Sequence, residues 1–565
     1  MIPRKRLVGL GAIALATSLV LTACGGGGGE EPPAEGESTG IVTISNGEPQ
    51  NPLIGSMTNE TEGGLVVQHL YSGLVYYDAE GVVHNEVAES IESDDNQTWT
   101  ITLQDGWEWS DGTPVTADNF VDAWNWAGYG PNGAKGAGFF EPIEGFAEAQ
   151  GVPEFDDEGN VSGMAEEPTA ETLSGLEVVS ETEFTVRLGQ PESDVPIRLG
   201  YSAFYPLPEA FFEDTEAFGT EPATTVTNGP YTLESWEHDS QISLVPNEAY
   251  AGERKAQNGG LDFIVYTDEN TSYADLQGGN LDILENVPTS AMSTFEEELG
   301  DGAVSEPSAS FAAMTVPEWL PEFQGDAGLK RRQALSMAIN RDQVTETIFA
   351  GTRIPATDFT SPVIDGWTGE IPGNEVTEYN AEEAKKLWDE ANAEDPLPDD
   401  YVLTIHTNTD SDHQAWVEAV CNGYMNDLDV KCEMTGYPTF DEFLNERDKG
   451  PKGSVDGIFR AGWSADYPSL QNYLGPLYSK AALAGSNDGR YESDEFDAAL
   501  AAAAAAGSLE EANELYNQAQ EVMFQDLPGI PLWYYSTTAG HSEVVDNVEF
   551  GWDSMPLLYE VTKTE

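Results

Sequence analysis

Positive charge is the scarcest property of this chain: 565 residues hold 23 Lys and Arg against 101 Asp and Glu, a formal net charge of −78. That balance excludes a nucleic-acid binder, whose surface must supply cations to phosphates. Cysteine is nearly absent too. Beyond Cys24 only Cys421 and Cys432 occur, and no second Cys/His pair stands at ligand spacing, so no zinc site, other metal or cofactor is expected. Past residue 21 no apolar run is long enough to cross a bilayer. The chain also lacks a Gly-x-Ser-x-Gly elbow, a His-Glu-x-x-His motif, a Gly-rich phosphate loop and a catalytic Cys/His context, which argues against an enzyme. With 101 acids present, pairing two of them as a glycosidase dyad carries no weight.

What is present begins at the N-terminus. Arg4, Lys5 and Arg6 precede an apolar run over 7–21 interrupted only by small residues, followed by Leu21-Thr22-Ala23-Cys24. A charged start, a short apolar core and small residues before a cut describe a secretory signal over 1–23. Residues 24–40 are Gly, Glu and Pro with nothing apolar larger than Ala or Pro, so they cannot offset the entropy of ordering and read as a flexible tether. The remaining body, roughly 540 residues, is enough for two or three domains. Acids spread through every segment of it. They attract cationic solutes or serve as a whole-surface adaptation to solubility or salt, and their even spread favours the second.

No fixed-period repeat is visible, and short strands and helices mix throughout. Alternating or β-branched runs predict strands over 41–45, 99–103, 184–188, 241–246, 262–266 and 402–407. Helical spacing predicts helices over 116–127, 326–350, 381–393, 413–427 and 508–525, with Thr116 and Asn380 as caps. The Ala-rich run over 494–507 predicts a surface helix ended by Gly507, and the Gly- and acid-rich stretch 150–168 a loop. Cys421 falls in a helical pattern and Cys432 in the apolar alternation after it; outside the cytosol, one disulfide or two separate thiols both fit.

Two resemblances emerge. Leu21-Thr22-Ala23-Cys24 resembles the lipobox of bacterial lipoproteins, which implies lipid transfer to the Cys24 thiol and cleavage before it. The alternative is an ordinary signal with a chance Cys. The second resemblance covers nearly the whole body. Leu70-Tyr71-Ser72-Gly73-Leu74, Thr98-Trp99-Thr100-Ile101-Thr102-Leu103 and Gly106-Trp107-Glu108-Trp109-Ser110-Asp111-Gly112-Thr113-Pro114 resemble the signature region of family 5 solute-binding proteins. These are the oligopeptide, dipeptide and nickel binders of ABC importers. Thr227-Asn228-Gly229-Pro230-Tyr231, Arg332-Gln333-Ala334-Leu335 and Ile530-Pro531-Leu532-Trp533-Tyr534-Tyr535 follow in the family's order. The resemblance implies an α/β fold of the periplasmic-binding-protein type II kind, two lobes and three domains with a ligand cleft between lobes. Domain I takes 41–78, 224–309 and 539–565, domain II 79–223, and domain III 310–538.

It also implies site residues. Phe459-Arg460-Ala461-Gly462-Trp463-Ser464-Ala465-Asp466-Tyr467 is similar to the stretch in which the family's Asp meets a ligand's α-amine and its Arg the α-carboxylate, making Asp466 and Arg460 the anchors, beside Trp463. The chemistry is sound alone: a peptide is a zwitterion, and a closed cleft must offer one charge of each sign. The planar fork of Arg suits a carboxylate. The alternative is an ordinary Arg–Asp ion pair in a loop. By the same resemblance His413, Arg447 and Tyr437 border the ligand, against readings as a helix cap, a solvated helix end and core packing. Asn59, Glu60 and Thr61, with Ser310 and Phe311 in the stretch 308–312, are expected to grip the ligand backbone by strand addition. Two departures stand out. Residues 308–313 are small where relatives carry aromatics, and Phe349 stands where a peptide binder has Lys.

The expected function is an extracytoplasmic, lipid-anchored monomer that captures short peptides and hands them to the membrane permease and ATPase subunits of an importer. The alternatives are the same fold with nickel, haem or an oligosaccharide, or a surface sensor or chaperone without transport.

Overall fold

The computed structural model describes residues 39–155, 161–409 and 413–563. The expected signal, Cys24 and most of the tether lie outside the described residues.

The β-branched runs find their partners in one eleven-stranded sheet. At its N-terminal end Ile41–Asn46 runs parallel to Gly260–Val265 and beside Ile283–Leu284, with Val42 and Ile44 fully buried. At the other end Ile458–Ser464 lies parallel to Val402–Asn408, which is itself parallel to Lys431–Tyr437. The halves are joined by two 13-residue strands, Ala303–Thr315 and Gly529–His541, paired antiparallel from Ala303 opposite Gly540 to Thr315 opposite Gly529. Each strand starts in one lobe and ends in the other. Their register breaks between Pro307 and Phe311, where proline supplies no N–H. There Ala309 bonds instead to Trp552 and Ala465.

The small residues of 308–313 now have a physical reason. In the C-terminal lobe the strand Ala303–Thr315 is central and buried on both faces: Ala312 and Met314 meet Leu335, Leu403 and Trp416 on one side, while Phe311 and Ala313 meet Tyr473 and Tyr516 on the other. A strand covered on both sides needs slim side chains where two layers close on it. In the N-terminal lobe a single apolar cluster runs through Val42, Trp124, Phe184, Phe263 and Leu558. It joins the large sheet to a four-stranded antiparallel sheet of Ala88–Glu92, Thr98–Leu103, Glu183–Arg187 and Leu176–Ser180.

Three expectations change. The helix predicted over 326–350 is two helices, Gly325–Met337 and Arg341–Ile348. Asn340 caps the second by accepting from Gln343 N at 3.1 Å, and the buried Arg341 guanidinium donates to Pro531, Ser336 and Thr377 carbonyls, fixing the break. The stretch 150–168 carries a strand pair, Val152–Phe155 with Val161–Glu166. The Ala-rich helix is Asp494–Ala504 and does not run on to Gly507. Its C-terminal carbonyls are taken by the other lobe: Ser193 Oγ donates to Ala503 O at 3.0 Å, and Asn96 Nδ2 to Ala504 O at 3.3 Å and, just past the helix, to Ala506 O at 2.7 Å. Cys421 and Cys432 form a disulfide with Cα atoms 5.1 Å apart, tying helix His413–Leu428 to strand Lys431–Tyr437.

Candidate ligand-binding site

The strand Ile458–Ser464 carries the site. One side pairs with residues 310–315; the other meets Val402–Asn408 only at Ile458 and Phe459. From residue 460 to 464 the second edge therefore has no strand partner among the described residues. Gly462 suits this strand for packing closely on its neighbour, since a Cβ there would stand 2.9 Å from Phe311 O. The chain then turns through Ala465 and Asp466 into helix Gln471–Tyr478.

That turn is knotted by Asn472, which is 2% exposed. Its Oδ1 accepts from Trp463 Nε1 at 3.0 Å and from Asp466 N at 3.0 Å, and its Nδ2 donates to Asp466 Oδ2 at 3.1 Å. Asp466 is half-buried, and loss of water raises its carboxyl above the usual range; the Asn472 bond and the charge of Arg198 oppose the rise. Its negative field reaches three phenols, Tyr77, Tyr201 and Tyr473, each pushed upward chiefly by burial. Tyr201 also feels Glu60 of the N-terminal lobe. Asp466 and Glu60, from opposite lobes, thus converge on one tyrosine.

Next to Asp466 the lobes touch. Arg198 pairs with Glu192 at 2.8 Å and donates to Tyr467 Oη at 3.4 Å, with its guanidinium 5.6 Å from the Tyr467 ring centre. Ser469 Oγ donates to Asp194 at 3.3 Å. Burial pushes Glu192 up to about 7, against the pull of Arg198.

Arg460 donates through Nε to Asn408 Oδ1 at 2.8 Å, and its guanidinium lies 4.3 Å from the Phe440 ring centre. His413 Nδ1 accepts from Trp416 Nε1 at 3.1 Å, beside residues 410–412, which are outside the described set. Arg447 pairs with Asp488 at 2.9 Å and Asp448 at 3.1 Å. Tyr437 Oη lies 3.1 Å from His406 Nδ1 and 3.0 Å from Ser454 Oγ, and its ring packs on Phe443.

The expected strand addition is corrected at Phe311. Phe311 is paired on both sides, to Trp463 and to Tyr534, and its ring is in the core against Tyr473. Ser310 is paired on one side, to Ser464, with its Oγ 2.7 Å from Ser464 Oγ. The open edge is that of 460–464 instead. Around Asn59, Glu60 and Thr61, the Glu60 carboxylate gathers the backbone N–H groups of Gln50, Asn51 and Asn59 and the Asn51 amide, closing a loop ahead of helix Thr61–Leu70. Asn59 and Thr61 are exposed. Phe349 packs on Trp533 with ring centres 5.0 Å apart.

Sequence reasoning missed Asn472, Arg198 and Glu192. Asn472 follows Asp466 by six residues with no motif to mark it, and Arg198 reaches the site from the other lobe.

Comparison with known proteins places this geometry. A family model of bacterial extracellular solute-binding proteins, family 5 middle, matches residues 82–485. The oligopeptide-binding protein OppA of Bacillus subtilis is 26% identical over 553 residues, 94% of this chain and 95% of that protein. Among solved structures, the unliganded open form of the MppA periplasmic murein tripeptide binding protein superposes with a TM-score of 0.78 at 23% identity, over 94% of this chain and 99% of that one. Haemophilus influenzae OppA in complex with RPPGFSPFR gives 0.67 at 21%, over 94% and 100%. The fold is accordingly the multi-domain α/β architecture of type II periplasmic binding proteins. With a family model over most of its length, the chain belongs to the bacterial extracellular solute-binding proteins of family 5.

Proposed function

We propose that this chain captures short peptides extracytoplasmically and delivers them to the permease and ATPase subunits of an ABC importer, without catalysing a reaction. The observation that carries the reading is the Asp466 carboxylate, pinned by a neutral amide at the end of the unpaired edge 460–464. A carboxylate that has lost water and, among the described residues, has no cation bonded to it favours a ligand ammonium. The open edge meets a peptide backbone by main-chain hydrogen bonds, which bind without reading side chains. Six extended residues span about 20 Å, so Asp466 takes the amine end and Arg460, six positions before it, serves the carboxylate end of a short ligand. Relatives named for oligopeptide binding support the same cargo.

In this reading Cys24 carries the lipid anchor, and the protein works as a monomer outside the membrane. Domains I (41–78, 224–309, 539–565), II (79–223) and III (310–538) divide across the two long strands, which act as the hinge. Closure requires that peptide bind the closed state better than the open one. Calorimetry with peptides of two to six residues, free and N-acetylated, tests the cargo. Free peptides are expected to bind and acetylated ones to lose at least a hundredfold; equal affinities would refute the amine anchor.

A further inference from the structure

The Asn472 amide has only one workable orientation. Its oxygen faces two N–H donors, from the Trp463 indole and the Asp466 backbone. Turning the amide over would set NH2 against both, in a place too buried for water to compensate. Nδ2 must then point at Asp466 Oδ2, and the one side chain ties together the ring and the carboxylate that flank the open edge. Among the described residues no other side chain is seen to hydrogen-bond that carboxylate; the further hydrogen bond it receives comes from its own backbone N–H.

We propose that Asn472 is the positioning residue of the amine anchor, holding Asp466 and Trp463 in one fixed arrangement so that Oδ1 meets the ligand, and that discrimination between free and blocked amines depends on it. The proposal rests on the reading of Asp466 given above. Using an amide rather than Lys or Arg has a chemical reason. A cation at position 472 would compete with the ligand ammonium for the same carboxylate, whereas an amide orients it and leaves its charge uncompensated. The charged and titratable groups that face Asp466 from neighbouring elements are Arg198, Tyr77, Tyr201 and Tyr473; of these only Arg198 is charged at neutral pH, and it is paired with Glu192.

Two variants of the full chain test this, each checked for folding by thermal unfolding. The probe is the tightest-binding free peptide of the two-to-six-residue series and its N-acetyl form. Asn472→Ala is expected to weaken the free peptide about tenfold or more, and to shrink the free-to-acetylated ratio by the same factor. Asn472→Asp is isosteric and keeps the acceptor for Trp463 and Asp466 N, but it turns a second carboxylate oxygen toward Asp466. Binding is lost as pH falls and Asp466 protonates, so a like charge beside it moves that midpoint up by about one pH unit or more. A merely structural role would leave the midpoint where it is. A parent that ignores acetylation overturns the anchor and this proposal with it. A parent that discriminates, beside variants with the same ratio and midpoint, overturns the role of Asn472 alone.

Discussion

Asp466 and Arg447 are both charged residues that the family pattern assigns to the ligand, yet the fold treats them oppositely. Asp466 is held by a neutral amide, and among the described residues no cation is seen to hydrogen-bond its carboxylate. Arg447 is held by two carboxylates, with the side chains of Arg447 and Asp488 18% and 17% exposed. Burial pushes Asp488 up to about 6 while Arg447 pulls it down. A charge kept for an incoming ligand needs neutral supports, because an internal counter-ion satisfies it before the ligand arrives. Glu285 is a third case: partly buried, it faces the like charge of Glu62 and is pushed up to about 8 by burial and that repulsion.

The contrast can be broken at each of these positions. The largest effect is expected at the anchor. Asp466→Ala removes the partner of the ligand amine and should cost on the order of 3–5 kcal/mol in peptide binding, read by calorimetry, while the unliganded protein melts no lower than the parent. A variant that binds as tightly as the parent would end the cargo assignment. At Arg447 the loss should appear in stability instead. Arg447→Ala strands Asp488 and should cost about 2 kcal/mol, less than a fully buried pair because water reaches both groups. Urea unfolding would register it, and a selective loss of peptide affinity in the folded variant would contradict the contrast.

Glu285 sharpens the comparison through pH. Its folded value lies above the ordinary 4.5, so the folded state holds a proton that the unfolded chain releases between about 4.5 and 8. Stability supplied by this group is full below 4.5 and lost as pH rises toward 8. Asp358 and Asp553, each pushed up to about 6 mainly by burial, act in the same sense. The melting temperature should therefore rise as pH is lowered from 8 toward 5, and Glu285→Gln should flatten part of that slope, by roughly 1–2 kcal/mol at pH 8. A variant with an unchanged slope would remove Glu285 as a source. The smallest change is expected at Tyr437→Phe, which drops the bonds to His406 and Ser454. It should lower stability by about 1 kcal/mol and leave peptide affinity alone, as a packing residue would.

Much of this was legible because it is local. The strands over 41–45, 241–246 and 402–407 lie where alternation puts them, since a β-branched run that buries one or both faces has few other folds available. The segment 459–467 is contiguous, so one strand and one turn bring Trp463 and Asp466 together. Elsewhere local pattern fell short. Nothing in 326–350 shows that Arg341 will donate to carbonyls at 336, 377 and 531 and break the helix there. The small residues of 308–313 stood as an unexplained departure from relatives until the strand proved to be covered on both faces.

By itself the sequence determined the family, the element types along most of the body and the stretch proposed to carry the amine anchor, because propensity, patterning and a contiguous motif act over a few residues. Only the tertiary structure decided which charges stay uncompensated. Asp488 reaches Arg447 from 41 positions along the chain, Arg198 approaches Tyr467 from the opposite lobe, and Asn472 closes on Asp466 only once a strand and a helix have packed. A charge's role depends on its nearest partner in space, and the hydrophobic packing of distant segments chooses that partner.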